Sequence, residues 1–262
     1  MFIGAALLGA LGIGLFIALT FTRKRLATFL IARPKKVGEL LDTARSIGQE
    51  IGGGGFSELV EVTGTIGCAQ PLTSPLGGKP CVRYSMRVVR EYEEDVEERD
   101  SQGKVTRRTR RGSETLQSDD QRCDFAVRDA TGELPVVAAG ADFDGMVQSV
   151  SRFESGAGGT TLSFGGFRLS LDSALGARRR TLGYRFTEEI YPLDRQVTVI
   201  ALASDADGRL ALRKGEMSFV VSTRSRQELV GSAQTQAKVL GVCGTLSLVA
   251  AVVLAILGLV RG

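Results

Sequence analysis

Two stretches, Phe2 to Thr22 and Val239 to Val260, contain no charged residue. Each exceeds the roughly 18 apolar residues that cross a bilayer as a helix. A chain with such runs near both ends is expected to be held in a membrane twice, with its middle folded as a separate body. Arg23, Lys24, Arg25, Arg33, Lys35 and Lys36 follow the first run, with no acid before Glu39 and no basic residue ahead of the run. Positive charge on that side predicts a cytoplasmic middle, in the plasma membrane if the chain is bacterial. A cleaved signal peptide is the rival reading of residues 1–22. It wants a basic segment before the apolar core, and here the cluster comes after it.

The formal net charge of +4 invites a nucleic-acid partner until its distribution is examined. Setting aside those six residues and Arg261 leaves 26 basic residues against 29 acids in the middle, about −3. The excess positive charge is juxtamembrane, where it meets anionic lipid. Lipid is therefore an expected partner, and nucleic acid is not.

Histidine is absent. That removes Ser-His-Asp and Cys-His nucleophiles, His-containing zinc sites and imidazole acid–base chemistry. Cys68, Cys81, Cys123 and Cys243 form no Cys-x-x-Cys pair, so no metal, cofactor or disulfide framework is expected. Without an imidazole to activate them, the thiols of the middle read as buried structural cysteines. An enzymatic alternative rests on Cys81 or a surface carboxylate. Glu188 and Glu189, adjacent on an expected strand, should face opposite ways and make a poor acid–base pair. Asp119-Asp120 and Asp142-Phe143-Asp144 read as solvated turns, and Arg178-Arg179-Arg180 as a basic loop.

Along the chain, Arg33-Pro34 marks a break after the first span. Val37, Leu40, Leu41, Ala44, Ile47 and Ile51 then recur at helical spacing. Their stripe either packs on the central domain, the favoured option, or lies on the membrane. Gly52 to Gly55 reads as a hinge. Short β-rich runs follow at 58–67, 81–95, 104–117, 122–128, 133–139, 160–170, 181–190, 196–203, 208–213 and 217–222. Asp129-Ala130-Thr131-Gly132 and Asp205-Ala206-Asp207-Gly208 read as hairpin turns. Ser225-Arg226-Gln227-Glu228 is a capping box opening a helix that runs without a break into the second span. The expected organisation is a span at 2–22, a basic segment with helix and hinge at 23–55, a β-rich domain at 56–224, and a helix continuing into the membrane at 225–260.

An acidic run containing Glu94, Asp95, Glu97 and Glu98 meets Arg107, Arg108, Arg110 and Arg111 across Ser101-Gln102-Gly103. A turn on Gln102-Gly103 pairs Glu98 with Arg107, Glu97 with Arg108, Asp95 with Arg110 and Glu94 with Arg111. A turn one residue earlier keeps only Asp95 with Arg108 and Glu93 with Arg110. The hairpin is either an electrostatic docking arm or a solvated or disordered charged segment.

Four stretches carry a family resemblance. Pro71-Leu72-Thr73-Ser74-Pro75-Leu76-Gly77-Gly78-Lys79-Pro80-Cys81-Val82-Arg83-Tyr84 resembles the Ser-Pro-Leu…Pro-Cys-Val-x-Tyr segment of the BAM, or GIDE-type, domain. Phe125-Ala126-Val127-Arg128-Asp129-Ala130-Thr131-Gly132 is similar to its Phe-x-Val-x-Asp-x-x-Gly hairpin. Gly183-Tyr184-Arg185-Phe186-Thr187-Glu188-Glu189 and the segment from Val197 to Gly208 resemble its C-terminal half. That domain lies between two transmembrane helices in organellar RING-type ubiquitin ligases and bacterial relatives. The resemblance implies a β-rich (α+β) module of short antiparallel strands, either open or barrel-like, with a ubiquitin-ligase label. It picks out Ser74, Pro75, Leu76, Pro80, Cys81, Val82, Tyr84, Phe125, Asp129, Gly132, Tyr184 and Glu188 as motif residues.

A RING needs two zinc sites with eight Cys or His ligands. Four scattered cysteines and no histidine do not supply them. Tryptophan, frequent in relatives near the charged hairpin, is also absent. The expectation is a two-pass, non-catalytic interaction module with an unidentified protein partner. The alternative is a ligase-family subunit that acts only beside a catalytic chain. A homo-oligomer is compatible with either.

Overall fold

The computed structural model describes residues 2–51, 55–99, 105–156, 161–164, 166–170 and 179–261. Most of the expected hinge at Gly52 to Gly55 and the Gln102-Gly103 turn lie outside the described residues, as do Asp100, Lys104 and Arg178. Helix α1 (Phe2–Ile31) runs on through Arg23–Arg25, past the expected end of the span, and stops where Pro34 forbids another turn. Strand β1 (Arg33–Pro34) precedes α2 (Val37–Ile51), whose Val37, Leu40 and Ala44 are buried. The apolar stripe thus packs on protein.

The strands follow in order: β2 (Ser57–Gly67), β3 (Leu72–Thr73), β4 (Pro80–Arg99), β5 (Val105–Arg122), β6 (Phe125–Asp129) and β7 (Gly132–Val136). Next come β8 (Asp142–Asp144), β9 (Val147–Ser155), β10 (Thr161–Phe164), β11 (Phe167–Ser170) and β12 (Arg179–Pro192). Then β13 (Gln196–Ser204), β14 (Ala211–Arg213), β15 (Val220–Ser222) and α3 (Arg226–Arg261) complete the chain. Asp142–Asp144, expected as a turn, is a strand because it pairs in parallel with Val220–Ser222.

The chain divides into two compact units. The first contains Met1–Thr65, Val127–Asp144 and Gln196–Gly262. Its pairing order β2-β6-β7-β14-β13 returns to β2, closing a five-stranded barrel that β15 and β8 extend. Closure leaves those five strands without a free edge along the ring. Gly64 allows it: a Cβ there would stand 2.4 Å from the Arg128 carbonyl oxygen. The run Val197–Ala203 is buried on both faces, save half-buried Leu202. Val197, Val199 and Ala201 share one face, while Ile200 on the other joins Phe29, Ala32, Val220, Leu229 and Ala233 in a core built from barrel and helices.

Polar ties reinforce that junction. Ser218 N donates to Thr28 Oγ1 at 3.3 Å, Arg226 pairs with Glu61 at 3.2 Å and donates to the Leu30 carbonyl, and Arg25 pairs with Asp142 at 3.0 Å. Ser225 and Glu228 form the expected capping box, with Glu228 Oε2 accepting from Ser225 N at 2.8 Å. Helix α3 then continues unbroken. Toward the termini α1 and α3 pack on each other, where a Cβ on Gly12 would meet Leu248 at 2.7 Å. Small residues let the two backbones approach.

The second unit contains Ile66–Ala126 and Gly145–Arg195. Central β4 pairs β12 along one edge, with β9 beyond, and β3 and β5 along the other. Cys81, Tyr84, Met86, Val88, Tyr184, Phe186 and Ile190 form its core, and Phe164 stacks on Phe186 at 4.8 Å between centroids. Alternation along β4 and β12 puts every second residue there.

Candidate functional site

Glu188 is the centre of the Ser74–Tyr84 segment. Its carboxylate is fully buried and accepts from Leu76 N at 2.7 Å and Gly77 N at 3.1 Å. Ser74 closes the loop: its hydroxyl accepts from Lys79 N at 3.1 Å, its carbonyl from Gly78 N at 2.9 Å, and its own N–H donates to the Lys79 carbonyl at 2.9 Å. Gly78 takes φ +63°, where a side chain would be strained. Pro75 is half-buried and Pro80 exposed, whereas Leu76, Cys81, Val82, Tyr84 and Tyr184 are buried.

Burial first, then Glu188 and Cys123, push the Cys81 thiol up to about 11. Such a thiol is inert at neutral pH. The Tyr84 hydroxyl, buried and donating to Asp119 at 2.8 Å, is held above its ordinary value. Glu189 is exposed, as strand alternation requires. Asp119 and Asp120, expected in a turn, lie in β5, where Asp120 takes two hydrogen bonds from Arg83. With both Glu188 oxygens engaged, this cluster can lock a loop but cannot present an acid or base to solvent.

Phe125, Asp129 and Gly132 do different work. Phe125 is buried. Asp129 Oδ1 accepts from Thr131 N at 2.7 Å and Gly132 N at 3.0 Å, closing the β6–β7 turn, while Oδ2 accepts from Val37 N at 2.9 Å. One carboxylate therefore shapes a hairpin and caps α2. Burial opposes its ionisation, but the hydrogen bonds from Thr131, Val37 and Gly132 outweigh it, leaving the pKa below the usual value. Sequence spacing revealed the turn and not the cap, because Val37 is distant along the chain. Asp144 was hidden for the same reason. It accepts from Arg224 and Ser222, both at 2.7 Å, and these bonds lower its pKa against the opposing effect of burial.

The charged hairpin is an ordered antiparallel ribbon over Pro80–Arg99 and Val105–Arg122. Neither expected register holds at its outer end. Glu97 pairs with Arg107, Glu94 with Arg110 and Glu93 with Arg111, while Glu98 faces Thr106, Asp95 faces Thr109 and Arg108 faces Val96. A bulge explains the offset: Val88 faces Gln117 but Val89 faces Thr115, so Leu116 is the extra residue, and it packs on the core.

Acids of β4 are contacted from both sides. Glu93 receives Arg111 at 3.1 Å and Arg180 at 2.7 Å, and Glu94 receives Arg179 at 2.9 Å. Arg179 and Arg180 therefore open a strand rather than forming a loop. Tyr92 crosses Gly112 and lies 4.7 Å beneath the Arg179 guanidinium. Among the described residues β5 pairs only with β4.

Of the other expected groups, Arg23, Lys24 and Arg25 lie in α1, and Arg33 pairs with Glu58 at 3.9 Å. Lys35 pairs with Glu39, and Lys36 precedes α2. Cys68 and Cys123 are half-buried, contrary to full burial, because their segments flank the ends of β2 and β5; their sulfurs stand 3.8 Å apart. Among the described residues no group of three or more Cys, Asp or Glu side chains could hold a metal.

Family comparison matches residues 93–256, more than half of the chain, to the GIDE family, described as E3 ubiquitin ligase. The chain belongs to the GIDE family. No curated protein and no solved structure matches it. The GIDE match begins at Glu93 and so takes in β5, the Asp129 turn, Glu188 and most of α3. The Ser74–Tyr84 loop lies before the matched residues, yet Glu188 ties that loop to the GIDE segment through two backbone N–H groups.

Proposed function

We propose that this GIDE chain is a two-pass membrane protein whose domain docks a protein partner along strand β5, without a catalytic step of its own. The supporting observation is the unshared edge of β5. It runs from Val105 to Arg122, is paired on one side only among the described residues, and carries arginines at 107, 108, 110 and 111 with acids at 114, 119 and 120. Charged edge strands resist indiscriminate pairing and accept complementary ones. The spans rest on α1 and α3, which are long and apolar enough to cross a bilayer. Ile3 and Leu259 are 79% and 72% exposed, which a soluble core helix would not be. Positive charge after the first span favours a cytoplasmic domain.

A photo-crosslinking residue replacing Thr106, in native membranes, tests the docking. One dominant adduct is expected, lost when Arg107, Arg108, Arg110 and Arg111 become glutamine. An adduct indifferent to those changes rejects the reading.

The family's description favours a second reading, an interaction subunit for ubiquitin-type transfer. With four cysteines and no histidine the chain cannot build the eight-ligand RING. Transfer would need a zinc-bearing partner, detectable by metal content after copurification.

A further inference from the structure

We infer that the groove between α1 and α3 binds one anionic phospholipid, its headgroup phosphate on Arg23 and Lys238 and its acyl chains along Phe16, Leu19 and Val242. This rests on the reading that both helices cross a bilayer. The groove encloses about 490 Å³ and is lined by Phe16, Leu19, Arg23, Ala237, Lys238, Gly241, Val242 and Thr245. That volume takes the headgroup-proximal length of a lipid, with the remainder among neighbouring lipids. Gly241 and Ala237 supply the depth by lacking bulk. Thr245 donates its hydroxyl to the carbonyls of Gly241 at 3.0 Å and Val242 at 2.9 Å, so its polarity is spent within its own helix. The wall is therefore apolar.

Helix register places both cations at one level. Gly12 meets Leu248, Gly244 meets Phe16 and Gly241 meets Leu19, an antiparallel progression that brings Arg23 beside Ala237 and Lys238. Each is the first charge reached on leaving its apolar run.

Charge complementarity selects the occupant. Arg25 is taken by Asp142, Arg33 by Glu58, Lys35 by Glu39, Arg224 by Asp144 and Arg226 by Glu61. Among the described residues no carboxylate pairs with Arg23 or Lys238, and none lines the groove. Two unneutralised cations above an apolar wall at the interface fit a phosphodiester carrying net negative charge better than a zwitterionic headgroup, whose ammonium they repel.

Native mass spectrometry of the detergent-purified full chain, with phosphatidylglycerol or phosphatidylcholine added back, tests this. One phosphatidylglycerol per chain should be retained in preference to phosphatidylcholine. Arg23→Gln should weaken retention about fivefold and the Arg23→Gln/Lys238→Gln pair about 25-fold, while Lys24→Gln leaves it unchanged. Ala237→Trp, which fills the groove, should abolish retention. If it disturbs folding by circular dichroism, the paired glutamine variant decides, since both cations are at the surface. Equal retention of the two lipids, or no loss in the paired variant, overturns the site. Alkaline extraction separates the two failures: a chain that stays in the membrane pellet without lipid selectivity refutes the groove alone, and a chain released to the supernatant refutes the spans and the groove with them.

Discussion

Glu188 and Glu189 are neighbours in the chain with opposite surroundings, one buried and holding two backbone N–H groups, the other exposed. Replacing Glu188 by alanine leaves those donors buried and unsatisfied, at about 1–3 kcal/mol each. Thermal unfolding should show a loss of at least about 2 kcal/mol for Glu188→Ala and no more than about 0.5 kcal/mol for Glu189→Ala. Asp144 carries a pH signature. Its folded pKa lies below the unfolded value near 4. Its stabilisation is therefore complete above about pH 4 and disappears as pH falls through the lower folded value. Melting curves from pH 7 to pH 3 should show a drop at the acidic end, smaller in Asp144→Asn. The opposed faces of Glu188 and Glu189 were legible, since strand alternation is local. The partners of Asp144 and Asp129 were not, since only the completed fold brings Arg224 and Val37 to them.

At the level of elements, the ribbon shows what local pattern can and cannot specify. Opposite charges predicted an antiparallel hairpin, and one formed. The offset came from Leu116, an apolar residue among polar neighbours that the core draws inward. Charge pairing contributes about 0 to 1 kcal/mol per exposed pair and burial considerably more, so burial decides the register. The difference is measurable. Arg107→Gln, breaking an exposed pair with Glu97, should change unfolding free energy by less than about 1 kcal/mol. Phe186→Ala, emptying the core beneath Phe164, should cost about 3–5 kcal/mol. Both helices were legible in outline, from apolar runs ended by Pro34 and begun by Ser225. The closed ring of strands, expected through the family resemblance, could not be read from local pattern, because it depends on Ser57–Thr65 meeting Gln196–Ser204 far along the chain.

For the molecule as a whole, the proposed two-pass reading puts the ends of α1 and α3 on one face of the membrane and the domain on the other. In sealed vesicles a protease should cut tags at both termini from one side and the domain only from the other. The shared core of Phe29, Ile200 and Leu229 also couples α1 and α3 to the barrel. Phe29→Ala should lower barrel stability by about 3–5 kcal/mol although Phe29 belongs to the helix that carries the first apolar run.

Helix α3 begins at Arg226, packs on the barrel through Leu229 and Ala233, and reaches Lys238 without interruption. At 1.5 Å per residue the stretch from Ala233 to Lys238 is about 8 Å long. If both helices cross a bilayer as proposed, so short a tether keeps the barrel skimming the headgroups and confines its search to two dimensions. A protein partner of the proposed kind would then have to reside at the same bilayer already, or extend an arm down to it.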